Sequence, residues 1–356
     1  MKILILAGKF GMGHMSAARA LREHLEQDGH CAEVVDLFEY AMPEQAPTLY
    51  WWFNVLVIYG GVFYNIYHNL TANSGGENRA DNLADGMDRL VDDYQPDVVV
   101  STHPVCSAAM ARYKEDNASD IPLITCITDV TCHSEWIYPN TDYYLVADEV
   151  VLEGLAAKGV DPDIVTVSGI PVSGRFRPVR RDSARPRELL VMGGGLGLMP
   201  RRESFYQALN DLAGVHTTVL TGRNDRLFRR LVGKYENVEV IPFTHEVDQY
   251  MDRAHLVLSK PGGITSFEAI AARLPMLAWQ PFFQQEQENA EYLERHGMAR
   301  VVYKEDSSCV EVIRETIFDD RALNSMAWAM EKTSAGLERG AVRTVVAELA
   351  RERGTA

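Results

Sequence analysis

The densest run of residues suited to chemistry is Ser259-Lys260-Pro261-Gly262-Gly263-Ile264-Thr265-Ser266-Phe267-Glu268-Ala269. A strand-like apolar stretch leads into it, and the order is then a glycine pair, hydroxyl residues and a helix-forming run. Following the Gly262-Gly263 pair, the backbone amides of Gly263, Ile264 and Thr265 would stand unpaired at a helix start. There the peptide dipoles favour an anion such as a diphosphate. One turn further in, the Glu268 carboxylate can accept hydrogen bonds from two vicinal hydroxyls of a pentose. A plainly capped helix with an acid complementing its dipole would carry the same residues. A second polar cluster, Gln280 to Asn289, follows the apolar run Met276–Trp279. Amides and carboxylates at the carboxyl end of a parallel strand suit a hydroxyl-rich ligand that needs both donors and acceptors; a solvated helix start would look alike. The third segment is Gly8-Lys9-Phe10-Gly11-Met12-Gly13-His14. It reads as a tight turn, as a dinucleotide loop, or as a catalytic loop presenting His14. The dinucleotide fingerprint is broken by Ser16 at its third position, although Asp36 ends the next strand where a ribose-binding acid would stand. An imidazole with an ordinary pKa near ~6.5 is suited to take a proton from a hydroxyl. Asp129 is the second candidate, as base or as the group that fixes a histidine tautomer.

The elements that must position these segments follow from an alternation of short Val, Ile and Leu runs with longer helical patterns, which predicts repeated βαβ units and parallel sheets. Strands are expected at Lys2–Ala7, Ala32–Leu37, Asp97–Thr102, Leu123–Thr128, Tyr143–Ala147 and Val165–Ser168. A second set is expected at Leu189–Met192, Thr217–Thr221, Val238–Pro242, Leu256–Ser259, Met276–Trp279 and Val301–Tyr303. The fold class is therefore α/β, with two doubly wound, Rossmann-like sheets. The proline- and arginine-rich stretch Gly169–Glu188 has no apolar period. It sets the boundaries at a first domain 1–172, a linker 173–188, a second domain 189–335 and a C-terminal helix 336–356. An insertion at 38–79 breaks the βαβ rhythm.

A chain of 356 residues has room for two full cores. Its net charge of -15 excludes general attraction to nucleic acid, which rests on Lys and Arg neutralising phosphates. Five cysteines without a C-x-x-C pair or Cys/His ligand spacing indicate neither a disulfide framework nor a metal site and fit a reducing cytosol. The one Asp-x-Asp match, Asp161-Pro162-Asp163, reads as a proline turn rather than a metal site. The first apolar run passes straight into the glycine loop, so it is expected to be a strand and not a signal peptide. Tyr50–Ile66 is apolar for about one membrane span, yet carries Asn54, Gly60-Gly61 and several Tyr and Trp rings. We expect it to dock shallowly at a headgroup boundary through Trp51, Trp52, Phe53 and Phe63; a core helix or a subunit contact is the alternative. Arg175, Arg177, Arg180, Arg181, Arg185 and Arg187, if they face the surface, would each add about 1 kcal/mol of attraction to anionic lipid.

In order along the chain stand Gly-x-Gly-His at 11–14, Thr-His-Pro at 102–104, and Thr-Asp at 128–129 with His133 and Trp136. They are followed by Gly-Ile-Pro at 169–171, Gly193-Gly194-Gly195, Gly222-Arg223-Asn224, the Ser-Lys-Pro-Gly-Gly segment and Gln-Glu-x-x-Asn at 285–289. This series resembles the monogalactosyl- and glucosyl-diacylglycerol synthases, relatives of the lipid II-forming N-acetylglucosaminyl transferase in glycosyltransferase family 28. The resemblance runs from residue 1 to about 335. It implies a GT-B fold, two Rossmann-like domains facing a central cleft. It also implies transfer of a hexose from a UDP-sugar to diacylglycerol or a related lipid, with inversion, no required metal or other cofactor, and a place on the cytoplasmic face of the cell membrane. By the same resemblance Glu268 would hold the ribose, Gly263 and Thr265 the diphosphate, Phe243 and Thr244 the uracil, and Gln285, Glu286 and Asn289 the sugar, with Gly262 and Ile264 also on the donor side. Gly194 and Arg223 would complete the donor side, Arg223 as a charged supplement to the helix end. Gly13, His103, His133 and Trp136 would line the acceptor side, with His14 beside the acceptor hydroxyl. The family often has glycine where this chain has Gln284 and Glu288, beside the sugar. A UDP-sugar 2-epimerase and a non-catalytic UDP-sugar-binding regulator are the rival readings.

Overall fold

The computed structural model describes residues 1–10, 12–59, 83–181, 186–303 and 307–352. Two compact units divide the chain: Met1–Ser173 together with the segment from Leu337 onward, and Gly174–Gly336. The first contains β1 (Lys2–Ala7), α1 (Gly13–Gln27), β2 (Cys31–Asp36), α2 (Leu37–Ala41), α3 (Ala46–Tyr59), α4 (Ala84–Tyr94), β3 (Val98–Ser101), α5 (Pro104–Asp116), β4 (Leu123–Cys126), β5 (Tyr143–Val146), α6 (Glu149–Ala157) and β6 (Val165–Val167). The second contains β7 (Arg187–Met192), α7 (Glu203–Asn210), β8 (Val215–Leu220), α8 (Asp225–Leu231), β9 (Val238–Ile241), α9 (Val247–Arg253), β10 (Leu256–Ser259), α10 (Gly263–Ala272), β11 (Met276–Trp279), α11 (Gln284–Arg295), β12 (Ala299–Val302), α12 (Ser307–Ile317) and α13 (Asp320–Ala335). A last helix, α14 (Ala341–Glu352), belongs to the first unit.

All strand pairs are parallel, in the orders β2-β1-β3-β4-β5-β6 and β12-β11-β10-β7-β8-β9. Every expected strand is present, its ends shifted by no more than two residues. Strands covered on both faces must be apolar throughout, which is why these runs were legible. In the first unit, Ile3, Ile5, Val98, Val100 and Ile124 pack under α1 and under Val342, Val345, Val346 and Leu349 of α14. Residues of the opposite parity, Leu4, Leu6 and Val99, pack against Phe38, Met87, Leu90 and Met110. The strand order reverses between β1 and β3 in one sheet and between β7 and β10 in the other. Open α/β sheets bind ligands at the carboxyl ends of such pairs.

Several expectations are corrected. Arg181 does not face a surface: it is half-buried and donates to the carbonyls of Met251 at 3.0 Å, Ala272 at 3.1 Å and Arg273 at 3.2 Å. These lie in or just after the last turns of α9 and α10, where carbonyls lack helical partners, and a guanidinium fork satisfies several at once. Arg187 is 5% exposed and ion-paired with Asp320, while Arg175 lies 3.5 Å from Asp248. Arg177 and Arg180 are exposed; Arg185 lies outside the described residues. Phe63 likewise lies outside them. Asp161 caps a single 3-10 turn, accepting from the Asp163 amide at 3.0 Å, as its proline predicts. Among the described residues no helix is long and apolar enough to cross a membrane.

Candidate functional site

In the first unit, the chemistry gathers at the carboxyl ends of β1, β3 and β4. Helix α1 starts at Gly13, capped by no side chain at Met12, so His14 sits in its first turn. The His14 Nδ1 lies 2.7 Å from the Thr102 carbonyl oxygen and 3.1 Å from Thr128 Oγ1. A carbonyl only accepts, so Nδ1 carries the proton and Nε2 keeps its lone pair. Thr102 is itself fixed, its hydroxyl donating to Leu6 O at 3.2 Å or His14 O at 3.1 Å. Packing among neighbours lowers the His14 pKa to about 4, the carbonyl hydrogen bond offsetting part of the burial effect. The ring is therefore a neutral acceptor at ordinary pH. His133 is half-buried, with Nε2 3.0 Å from Thr131 Oγ1.

The tautomer of His14 is set by the Thr102 carbonyl; Asp129, expected as base or as the group that fixes a histidine tautomer, is half-buried beside Thr128. His103 and Trp136 are both brought to His14, with ring centroids 4.7 and 6.4 Å away, but as its walls. Trp136 is 1% exposed, and His103 is buried with its Nδ1 accepting from the Val105 amide at 3.2 Å as the cap of α5. Neither offers an open face to a ligand in this state. The dinucleotide reading also fails, because Asp36 is buried and its Oδ1 is committed to internal donors. It accepts from the Phe38 and Glu39 amides at 3.1 and 3.2 Å, and from the Tyr50 hydroxyl at 2.6 Å.

Tyr50 ties α3 to the glycine loop, since its hydroxyl also accepts from the Lys9 amide at 3.3 Å. Burial and the Asp36 hydrogen bond push its pKa up. Phe10, on that loop, contacts the rings of Phe38, Tyr50, Phe53 and His103 at 4.7 to 5.2 Å. Phe53 thus turns inward. Trp51 and Trp52 turn outward, 58% and 60% exposed, in an α3 that contains no charged residue.

In the second unit, α10 opens at Gly262 with no side-chain cap and no acid in its first turn. The first intrahelical bond is Ser266 N to Gly262 O at 2.9 Å, so the amides of Gly263, Ile264 and Thr265 are directed out of the helix end. Space beside Gly262 is open. One turn in, Glu268 is half-buried and its pKa is raised to about 8, mainly by burial, with Arg175 opposing and Asp248 reinforcing the rise. The loop after β7 is built on glycine: Gly197 has φ +61°, and a Cβ there would overlap the Thr221 carbonyl oxygen. Gly194, at φ +66°, faces open space. After β8 and β9, the Arg223 guanidinium stands 5.3 Å from the centroid of Phe243, and the Thr244 hydroxyl accepts from the Glu246 amide at 3.1 Å.

The polar cluster after β11 forms the start of α11. Glu286 Oε2 accepts from the amides of Phe282 and Phe283 at 3.0 and 3.4 Å, and Lys260 Nζ lies 3.1 Å from both its carboxylate oxygens. Gln285 is half-buried; Asn289 is 3% exposed and lies beneath the loop surface. Gln284 donates to Glu288 at 3.0 Å, so these two residues are paired with each other. Sequence reasoning missed the Lys260–Glu286 pair and the roles of Thr102 and Thr128. Thr-His-Pro and Thr-Asp were read for their histidine and acid, whereas the threonines are what meet His14.

A family model described as monogalactosyldiacylglycerol (MGDG) synthase matches residues 14–172, and the glycosyltransferase family 28 C-terminal domain matches 189–340. A processive diacylglycerol beta-glucosyltransferase of Staphylococcus carnosus is 27% identical over 354 residues, spanning 93% of this chain and 88% of its own. One from Bacillus subtilis is 27% identical, spanning 91% and 89%. Among solved structures, Acinetobacter baumannii MurG aligns with TM-score 0.63 at 14% identity over 98% of this chain and 99% of its own. The UDP-GlcNAc 2-epimerase of Neisseria meningitidis aligns with TM-score 0.60 at 15% identity over 99% and 100%. At such identities the structural likeness speaks for the fold, which is GT-B.

Proposed function

Because the chain belongs to glycosyltransferase family 28, with an N-terminal half of the monogalactosyldiacylglycerol synthase type, we propose that it moves a hexose from a UDP-sugar to diacylglycerol or a related lipid. The observation that carries this reading is the uncapped start of α10 with Glu268 one turn inside it. The exposed amides would take the diphosphate, and the Glu268 carboxylate the two ribose hydroxyls. Phe243 and Thr244 would face the base, while Gln285 and Glu286 serve the sugar; Asn289, 3% exposed, offers it no open face. On the acceptor side, His14 Nε2 would remove the proton from the lipid hydroxyl as its oxygen attacks the anomeric carbon. The bond from that carbon to the UDP oxygen breaks, its electron pair leaving with UDP. The α10 dipole, assisted by Arg223, stabilises the charge that results. The Thr102 carbonyl faces the proton on Nδ1 and stabilises the transient imidazolium. A direct displacement of this kind inverts the anomeric centre, and no metal ion takes part in it.

The rival epimerase reading shares the fold but has no use for an uncharged helix that displays two adjacent tryptophans. We assign α3 to the headgroup boundary of the inner face of the cell membrane. Changing both Trp51 and Trp52 to alanine is expected to lower partition onto vesicles by about tenfold or more, because two seated rings contribute on the order of 1.5–3 kcal/mol. Co-sedimentation measures it, and unchanged partition would remove α3 from the interface. The function itself is tested by supplying radiolabelled UDP-glucose, UDP-galactose or UDP-N-acetylglucosamine with diacylglycerol vesicles and resolving the lipids. Labelled glycolipid from at least one donor is expected; none from any would refute the assignment.

A further inference from the structure

The turn proposed for the diphosphate and the loop proposed for the sugar are joined by one side chain. Lys260 ends the β10 segment immediately before Pro261-Gly262-Gly263, and its Nζ reaches Glu286 at the start of α11, 3.1 Å from each carboxylate oxygen. Both side chains are only 14% exposed, and the ammonium also stands 5.3 Å from the Phe283 ring centroid. A pair so nearly removed from water gains little net stability, since desolvation offsets attraction, so its effect is sought in what it orients.

Helix α11 does not need Lys260 for its cap. Glu286 Oε2 already reaches back to the Phe282 and Phe283 amides just before the helix, as the third residue of a capping box does. What Lys260 adds is a fixed place for Oε1. A carboxylate offers about four lone-pair positions, so Oε1 retains capacity for one more donor beside the lysine.

Resting on the function proposed above, we propose that Lys260 is a positioning residue for the sugar of the donor: it acts through Glu286, holding that carboxylate aimed so that Oε1 can accept a sugar hydroxyl. Lys260 thereby couples the sugar loop to the register of the diphosphate turn. It does not itself bind the phosphates.

The test compares UDP with the UDP-hexose that the wild-type chain turns over, using K260M, K260R, E286Q and the K260M/E286Q double variant of the full chain. Calorimetry with UDP should show affinities within about twofold of wild type for every variant. Steady-state kinetics should show the donor KM raised about tenfold or more in K260M and in E286Q, kcat reduced less, and partial recovery in K260R. The double variant should be no worse than the worse single one, because both remove the same contact. Three results would overturn the proposal: UDP affinity falling in parallel with donor KM, which would place Lys260 on the phosphates; additive losses in the double variant; or an unchanged donor KM. K260Q replaces K260M in the same comparisons should the methionine variant fail to fold, as judged by thermal melting. Failure of the underlying reading is recognised separately, because the wild-type chain would then bind no UDP at all.

Discussion

Glu268→Ala is expected to weaken UDP binding by about 10²-fold or more, since two hydrogen bonds to a charged acceptor contribute roughly 1.5–3 kcal/mol each. The pH dependence makes the prediction sharper. The pKa of the free chain's Glu268 is raised to about 8, so near neutrality most molecules carry it protonated. Only the carboxylate can accept from both ribose hydroxyls, so binding must first remove that proton. UDP affinity should therefore rise about tenfold between pH 7 and pH 9 and then level off, one pKa unit being about 1.4 kcal/mol. Glu268→Gln should bind weakly with no such rise. The stability effect has the opposite sign. The native state holds this proton more tightly than the unfolded chain, so Glu268 costs stability as pH climbs from its ordinary 4.5 toward about 8, and the glutamine variant should lose less stability over that window. Calorimetry across pH measures the first effect and thermal melting the second. Unaltered UDP affinity in Glu268→Ala would end the assignment of α10 as the nucleotide site.

His14→Ala is expected to reduce kcat by about 10²–10⁴-fold, the usual contribution of a positioned base, with donor KM little changed. The wild-type profile should separate this histidine from an ordinary one. A base with a pKa near 6.5 would lose activity through slight acidification, whereas His14, at about 4, stays neutral and active to below pH 5. Activity limited by this ring should thus be flat from about pH 5.5 upward and decline only as Nε2 is protonated. A midpoint near 6.5 that disappears in His14→Ala would contradict the burial described for it, and near-full turnover in His14→Ala would remove it from the mechanism.

What was legible in the sequence follows what local order can encode. Strands covered on both faces are short continuous apolar runs, and all of them could be read, as could the glycine pair before α10. Partners distant in sequence could not. The His14–Thr102 contact depends on β1 lying beside β3. That adjacency is a property of the sheet order and not of either segment. Lys260 and Glu286 meet because β10 and β11 are neighbours. Side chains were also assigned by type where burial decides. The resemblance puts Trp136 on the acceptor side, yet it is 1% exposed; Arg181 and Arg187, expected to attract anionic lipid if they face the surface, instead close helix ends and pair internally, respectively.

The return of α14 to the first sheet fixes an order for events on the ribosome. Residues 174–336 form one uninterrupted stretch, so the second unit can close as soon as they have emerged. The first unit is begun earlier, but the face carrying Ile3, Ile5 and Val100, covered in part by α1, stays incompletely covered until Val346 and Leu349 arrive. At about 5–20 residues per second that delay is on the order of 10–30 s. The half that starts translation is therefore the later of the two to finish folding.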